Sequence, residues 1–294
     1  MGLTMAEAVL SVQVPDPILF GVIKTFTKEA PVLDMLRFDK AIAGKVSVNR
    51  WKSLPTSAFR AIGTDFVHSA GTIEQIDENM AISGGRVEID RAIVRRTGRA
   101  SVVTQELMQI IAHAKKWNET FFKGDGTGES FTGLQSRITG DQLISNGVAS
   151  LDLNKLDKML LAMRGSDKAL VMGSGMVARI WAKSRTSTNV NFVPGNFGES
   201  PSTYNGVPII QAGEDASESE ILDFSETTST SSIYGLSFED GIGVMGAETA
   251  PIEYILDNTQ NVDGGYVIEW DSNFQINTKR AAYRLSGITD AAIA

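Results

Sequence analysis

The stretch Ser101-Val102-Val103-Thr104-Gln105-Glu106-Leu107-Met108-Gln109-Ile110-Ile111-Ala112-His113-Ala114-Lys115-Lys116-Trp117-Asn118-Glu119-Thr120-Phe121-Phe122-Lys123-Gly124 decides how the rest of the chain is read. Leu107, Ile110, Ile111, Ala114, Trp117 and Phe121 recur at i, i+3, i+4, i+7, i+10 and i+14, one face of a 3.6-residue period. Ser101 or Thr104 can cap the start, with Glu106 near the positive end of the dipole, and Lys123 before Gly124 is a suitable stop. At about 1.5 Å per residue, a helix over 101–123 spans roughly 30–35 Å, which is long for a globular domain.

Upstream of this helix, residues 45–96 read as strands. Val46 and Val48 alternate with polar neighbours, and Met80, Ile82, Val87 and Ile89 flank Gly84-Gly85, a hairpin signal. The part from Lys52 to Gly71 is Ser/Thr/Gly-rich and weakly apolar, a long tip that one subunit cannot bury. Residues 1–44 are broken by Pro15, Pro17 and Pro31 and read as an extended arm with one short helix, laid on something else. Downstream, residues from 151 change to an α/β pattern. Leu153, Leu156, Leu160 and Met163 form an amphipathic helix behind Asp152, Ala169–Met172 a buried strand, and Met176–Lys183 a second helix. Short strands follow at Val207–Gln211, Ile233–Leu236 and Gly243–Met245. Pro251–Leu256, Gly265–Asp271 and Phe274–Asn277 alternate like an antiparallel meander.

The 294 residues hold 27 Lys and Arg against 35 Asp and Glu, a net charge of −8, with two His and no Cys. Without cysteine there are no disulfides, thiolate metal sites or cysteine nucleophiles. His68 and His113 alone cannot build a three-histidine metal site. No run approaches the roughly 20 apolar residues of a membrane helix, and no basic residue precedes Lys24 as a secretory signal requires. Met1-Gly2 begins like a myristoylation signal, but Ala6 stands where a hydroxyl residue belongs. The acidic balance disfavours general nucleic-acid or anionic-membrane binding. No membrane partner and no cofactor are expected.

Several motifs have a chemical reading beside an ordinary one. Gly173-Ser174-Gly175-Met176-Val177-Ala178 fits the dinucleotide fingerprint between a strand and a helix. No clear βαβ unit precedes it and no acid follows at the ribose position, so a tight turn is the favoured reading. Gly124-Asp125-Gly126-Thr127-Gly128 lacks both the lysine of a phosphate loop and the alternating acids of a calcium loop. Ser83 and Ser69 sit in near misses of the serine elbow, and His68 beside Ser69 is no catalytic pair by adjacency alone. His113, beside Lys115 and Lys116, reads as solvated or at an interface. Glu74, Asp77 and Glu78 are paired carboxylates without apolar surroundings to raise a pKa. Six acids in 214–226 read as a solvated loop. Arg86, Arg91, Arg95, Arg96 and Arg99 read equally as a clasp onto acidic neighbours or as a solvated strand face. No catalytic, cofactor-binding or metal-ligating residue is therefore assigned.

The segment Val103–Leu107 through Phe121-Phe122-Lys123-Gly124-Asp125-Gly126, then Phe131-Thr132-Gly133-Leu134, resembles the spine helix and glycine turn of tailed-bacteriophage major capsid proteins of the Hong Kong 97 type. Tyr204-Asn205-Gly206-Val207-Pro208-Ile209-Ile210 and Ala281-Ala282-Tyr283-Arg284-Leu285 are similar to two further family segments, in the same order along the chain. The resemblance implies an α+β capsid fold: an N-arm over 1–44, an extended E-loop over 45–98, a P-domain with the spine helix over 99–150, an A-domain over 151–249, and a return to the P-domain over 250–294. It implies a structural, non-enzymatic protein that assembles with itself as hexamers and pentamers into an icosahedral shell around double-stranded DNA. A separate scaffolding protein, a portal and decoration proteins would be its partners, with assembly in the bacterial host cytoplasm and the virion as destination. Encapsulin compartments share the fold and form the alternative; a nucleotide-dependent enzyme using Gly173–Ala178 is the alternative of another class. Lys52 lies near the E-loop tip, where some relatives crosslink, but no motif secures that chemistry here. The −8 charge suits a lining that encloses DNA without adhering to it.

Overall fold

The computed structural model describes residues 3–5, 17–98, 100–184, 190–192, 202–257 and 265–293. In chain order these form β1 (Leu3–Thr4), α1 (Pro17–Glu29), β2 (Arg37–Lys40), β3 (Lys45–Ser53), β4 (Thr72–Asn79), β5 (Ala81–Val87), α2 (Arg91–Thr97) and α3 (Ala100–Lys123). Next come α4 (Leu134–Arg137), β6 (Leu143–Ala149), α5 (Leu153–Ala162), β7 (Lys168–Met172), α6 (Ser174–Ser184), β8 (Val190–Phe192), β9 (Ser202–Tyr204) and β10 (Val207–Gln211). The chain closes with β11 (Thr230–Ser237), β12 (Val244–Glu248), β13 (Glu253–Asp257), β14 (Gly265–Ile276) and β15 (Ala282–Thr289). Helices alternate with strands along the first two thirds of the chain, but most strand pairs are antiparallel, the α+β class expected.

The long helix α3 is 24 residues. Ile110, Ala114, Trp117 and Phe121 are buried as their spacing requires, whereas Leu107 is 47% exposed. The helix starts at Ala100, upstream of both cap candidates, and Thr104 instead donates its hydroxyl to Ala100 O at 3.0 Å. It stops where expected. Gly124 N still donates to Thr120 O at 2.8 Å, but a Cβ on Gly124 would meet Phe131 O and Thr120 O at 2.5 and 2.6 Å. Only glycine admits the returning chain so closely.

One sheet runs β1-β2-β12-β14-β13, with β5 paired along β14 as well. Its inner face packs on α3 through aromatic rings: Trp117 lies 5.4 Å from Trp270 and Phe121 4.6 Å from Phe274. The Trp117 indole donates to Ser272 Oγ at 3.0 Å, so this large apolar group is buried with its one polar atom satisfied. The second sheet runs β6-β15-β11-β7-β10-β9-β8. Its separate core holds Leu156, Met159 and Leu160 of α5 with Met176, Val177 and Ile180 of α6. Asp152 caps α5 by accepting from Asn154 N at 2.9 Å. The third unit is the hairpin of β3 and β4 alone.

Four expectations change. Gly84-Gly85 is not a hairpin turn: β5 runs straight through it, paired with β14 from Ser272 to Tyr266. The glycines serve close packing, since a Cβ on Gly84 would strike Ile268 O and one on Gly85 the Gln109 side chain. Residues 17–40 hold the one short helix expected and are laid on another part, but that part is the chain's own core and they form no extended arm. Val22, Ile23 and Phe26 of α1 are buried in the core of α3, and β2 pairs in parallel with β12. The meander's last two pieces are one 12-residue strand, β14. Arg91, Arg95 and Arg96 lie on helix α2, not a strand, and Asp90 caps it through Ala92 N at 2.6 Å. Arg99, like Met1-Gly2, lies outside the described residues.

Candidate assembly surface

The hairpin leaves the body as a two-stranded ribbon whose register pairs Lys45 with Asn79 at the base and Ser53 with Thr72 at the far end. Between these ends, residues 54–71 form no helix or strand. Two strands and a loop bury almost nothing by themselves. Phe59 and Ile62 are fully exposed, and Trp51, Leu54, Val67 and Ile73 are each at least 70% exposed. The tip holds itself by a few polar links: the Arg60 guanidinium donates to Thr64 O at 2.9 Å and lies 5.2 Å from the Phe66 ring. Ser69 donates to Thr56 O at 2.9 Å. A loop that leaves this many large apolar side chains uncovered has the character of a protein-binding element. A second uncovered apolar strip, Val103, Leu107 and Met108, lies on the first half of α3.

The stem is fixed to the body by charges. At its base Arg137 pairs with Glu78 at 2.7 Å, with side chains only 9% and 17% exposed. The same guanidinium donates to Thr132 O, Phe274 O and Asn273 Oδ1 at 2.7, 2.9 and 3.0 Å, and its carbon lies 4.0 Å from the Phe274 ring centre. Arg50 on β3 donates to Ile276 O. β5 covers β14 only as far as Ser272, so the carbonyls of Phe274 and Ile276 have no strand partner on that edge. Two guanidinium groups stand in for the missing strand. Burial pushes the Glu78 carboxyl upward in pKa while Arg137 and Arg50 draw it back, and burial lowers Arg137 to about 10. Further out, Asp77 accepts from Ser47 and Lys45 at 2.6 and 3.0 Å and from Gln75, and these bonds hold its carboxyl down at about 2.

The remaining sequence candidates are placed by packing. Gly173 is required because Leu222 O lies against it, and Gly175 because the Phe224 ring would sit 2.8 Å from a Cβ. At the start of α6, Ser174 Oγ bonds the Glu220 carboxylate, and the neighbouring cavity of about 410 Å³ is walled by Glu29, Glu214 and Glu220 with Lys28. Acids at that helix end repel the pyrophosphate that the fingerprint would bind. Asp125 folds its own turn by accepting from Thr127 N and Oγ1 at 3.0 and 2.8 Å. The acids of 214–226 are not one solvated cluster: Glu226 is buried against Arg284 at 3.1 Å, and Glu214 pairs with Lys115 at 3.2 Å. Arg86 pairs with Glu88 at 2.7 Å on the surface. Ser69 and His68 stay at the tip, far along the chain from Ser83, which pairs with His113 at 2.9 Å.

That His113 contact corrects the solvated reading: the ring is 4% exposed, edge-on to Phe26 at 5.1 Å. Ser83 Oγ donates to Trp270 O at 3.2 Å, so it accepts from Nε2–H of His113, and Nδ1 has no partner among the described residues. Burial lowers this pKa to about 4. Arg137, Arg50 and their carbonyls escape sequence reading altogether, because nothing local marks an arginine as the cap of a strand edge 137 residues away.

No family model matches the sequence, and no curated protein matches it. Solved structures do match along nearly all of it. The holo-SrpI encapsulin complex from Synechococcus elongatus has a TM-score of 0.67 at 15% identity, over 90% of this chain and 89% of that one. The capsid of a native GTA particle has a TM-score of 0.63 at 11% identity, with 90% of each chain covered. The capsid of cyanophage A-1(L) has a TM-score of 0.62 at 12% identity, over 89% and 93% of the two chains. The chain has the Hong Kong 97-type capsid fold.

Proposed function

We propose that this chain is the major capsid protein of a tailed bacteriophage, assembling as hexamers and pentamers into an icosahedral head around double-stranded DNA. The observation that carries the reading is the hairpin tip, with fully exposed Phe59 and Ile62 on a fold otherwise shared with shell proteins. An apolar surface that its own chain leaves uncovered is covered in a closed symmetric assembly. The division into N-arm 1–44, E-loop 45–98, P-domain 99–150 and 250–294, and A-domain 151–249 belongs to this proposal. So do a separate scaffolding protein, a portal and decoration proteins as partners, and assembly in the bacterial cytoplasm before the virion is complete. The role is that of a wall rather than a catalyst. Electron microscopy of the purified protein, alone and with a co-expressed scaffold, tests it: rings or closed shells are expected, and persistent monomers under both conditions overturn it. The likeness to an encapsulin supports a second reading, a compartment holding a protein cargo. Native particles containing an enzyme and no DNA would decide for it.

A further inference from the structure

In the first sheet, strand alternation sends Phe38 and Phe274 to the core and turns Asp39 and Gln275 to the opposite face. The stem strand β3 lies over that face and buries Val48 there. Between stem and sheet is a cavity of about 460 Å³, bordered by Asp39, Asp240, Gln275 and Asn277. Gln275 is 4% exposed; its Nε2 donates to Asp39 Oδ2 at 3.3 Å, and its Oε1 has no hydrogen-bond partner among the described residues. A buried amide oxygen with no donor is an unmet demand for a hydrogen-bond donor or a cation. Burial first, then the Asp240 charge, hold the Asp39 carboxyl above its ordinary range. Lys40 also borders the cavity but makes no ion pair among the described residues.

We propose that this cavity is a divalent-cation site, with Asp39, Asp240 and the Gln275 amide oxygen as protein ligands and calcium as the fitting ion. The donors are all oxygens, which select hard cations over zinc or copper. Calcium takes six to eight oxygens in flexible geometry, so two carboxylates, an amide and waters in the remaining volume satisfy it; magnesium demands a near-ideal octahedron. No group of three Asp, Glu, His or Cys side chains gathers among the described residues, so the site has two charged ligands and binds weakly, with Kd about 0.1–1 mM. Its position gives it a consequence: the bound ion ties β2, β14 and the 240 loop into a rigid floor under the hairpin stem.

Calorimetric titration of calcium into the purified full chain tests this, with thermal unfolding measured in parallel at constant ionic strength. One ion per chain is expected, with the midpoint raised by about 3–8 °C in about 10 mM calcium. Asp240→Asn should weaken binding at least about tenfold, at one lost charged ligand; Asp39→Asn is the second variant if the first does not fold. Glu218→Gln, in the acidic loop elsewhere, should leave binding unchanged. No binding by the parent protein, an unchanged affinity in both asparagine variants, or loss in Glu218→Gln instead, would each overturn the site. The readouts need no assembled shell, so failure here leaves the capsid reading standing, and failure to assemble leaves this site standing.

Discussion

Arg137 is the residue on which the hairpin depends most. It meets one carboxylate and three oxygens from two other segments, in a site largely shielded from solvent. Desolvation offsets much of the Coulomb gain, so the pair itself adds little net stability. Removing one member is different, because the other is left charged without a partner. Arg137→Ala should therefore cost roughly 3–5 kcal/mol, read as a lower urea midpoint at unchanged slope. Arg137→Lys keeps the charge but cannot span the carboxylate and the carbonyls together, and should recover only part of that loss. His113 makes a prediction of opposite origin. Its pKa is about 4 in the folded chain and 6.5 when free, so the unfolded state binds the proton more readily. Stability from this group is whole above pH 6.5 and is lost as the pH falls to about 4, on the order of 3 kcal/mol in all. Unfolding midpoints from pH 7 to 4 should fall more steeply for the parent than for His113→Gln; parallel curves would refute the assignment. Neither role is readable from local sequence. His113 sits among lysines in the chain, and only the helix's rotation against β5 turns it inward.

At the level of elements, periodic signals were informative and single residues were not. Helix α3 and the helix behind Asp152 follow from repeated apolar spacing that one buried face enforces, and the strand Ala169–Met172 from a continuous apolar run buried on both faces. Strands β6 and β15 show no clean alternation, because β6 is mostly exposed, β15 is covered on both faces, and each carries glycine within it. The Gly84-Gly85 pair misled for a physical reason: glycine marks both a turn and a place where another backbone comes close. The structure separates the two positions. A methyl at Gly84 meets the Ile268 carbonyl, which is backbone and cannot yield; at Gly85 it meets the end of the flexible Gln109 side chain. Gly84→Ala should thus cost about 2 kcal/mol or more, and Gly85→Ala under about 1 kcal/mol. Equal losses in chemical denaturation would mean that β5 does not pack against β14 in this register.

For the whole molecule, the question is which apolar surface is there for the chain and which for its neighbours. Composition alone gives the sum and not the distribution, so the −8 charge and 42% apolar content are equally consistent with a monomer. The distribution is what supports the proposed assembly. The two cores take up most of the buried aromatic and aliphatic residues of both sheets, and the hairpin tip contributes to neither. Residues that bury nothing in the monomer can be changed without unfolding it, within about 0.5 kcal/mol for surface substitutions. The same residues, seated at the centre of a contact between copies, would be expected to carry about 2 kcal/mol or more each. Phe59→Ser with Ile62→Ser should therefore leave the urea midpoint of the isolated chain unchanged and abolish assembly, seen as a shift from large particles to single subunits in sedimentation velocity. The stem separates this from general damage: Lys45→Ala, which removes an exposed pair with Asp77, lies on the same hairpin and should assemble normally. Shells formed by the double variant at the parent's protein concentration would show that the tip is not the contact, and would move the search to the strip of Val103, Leu107 and Met108 on α3.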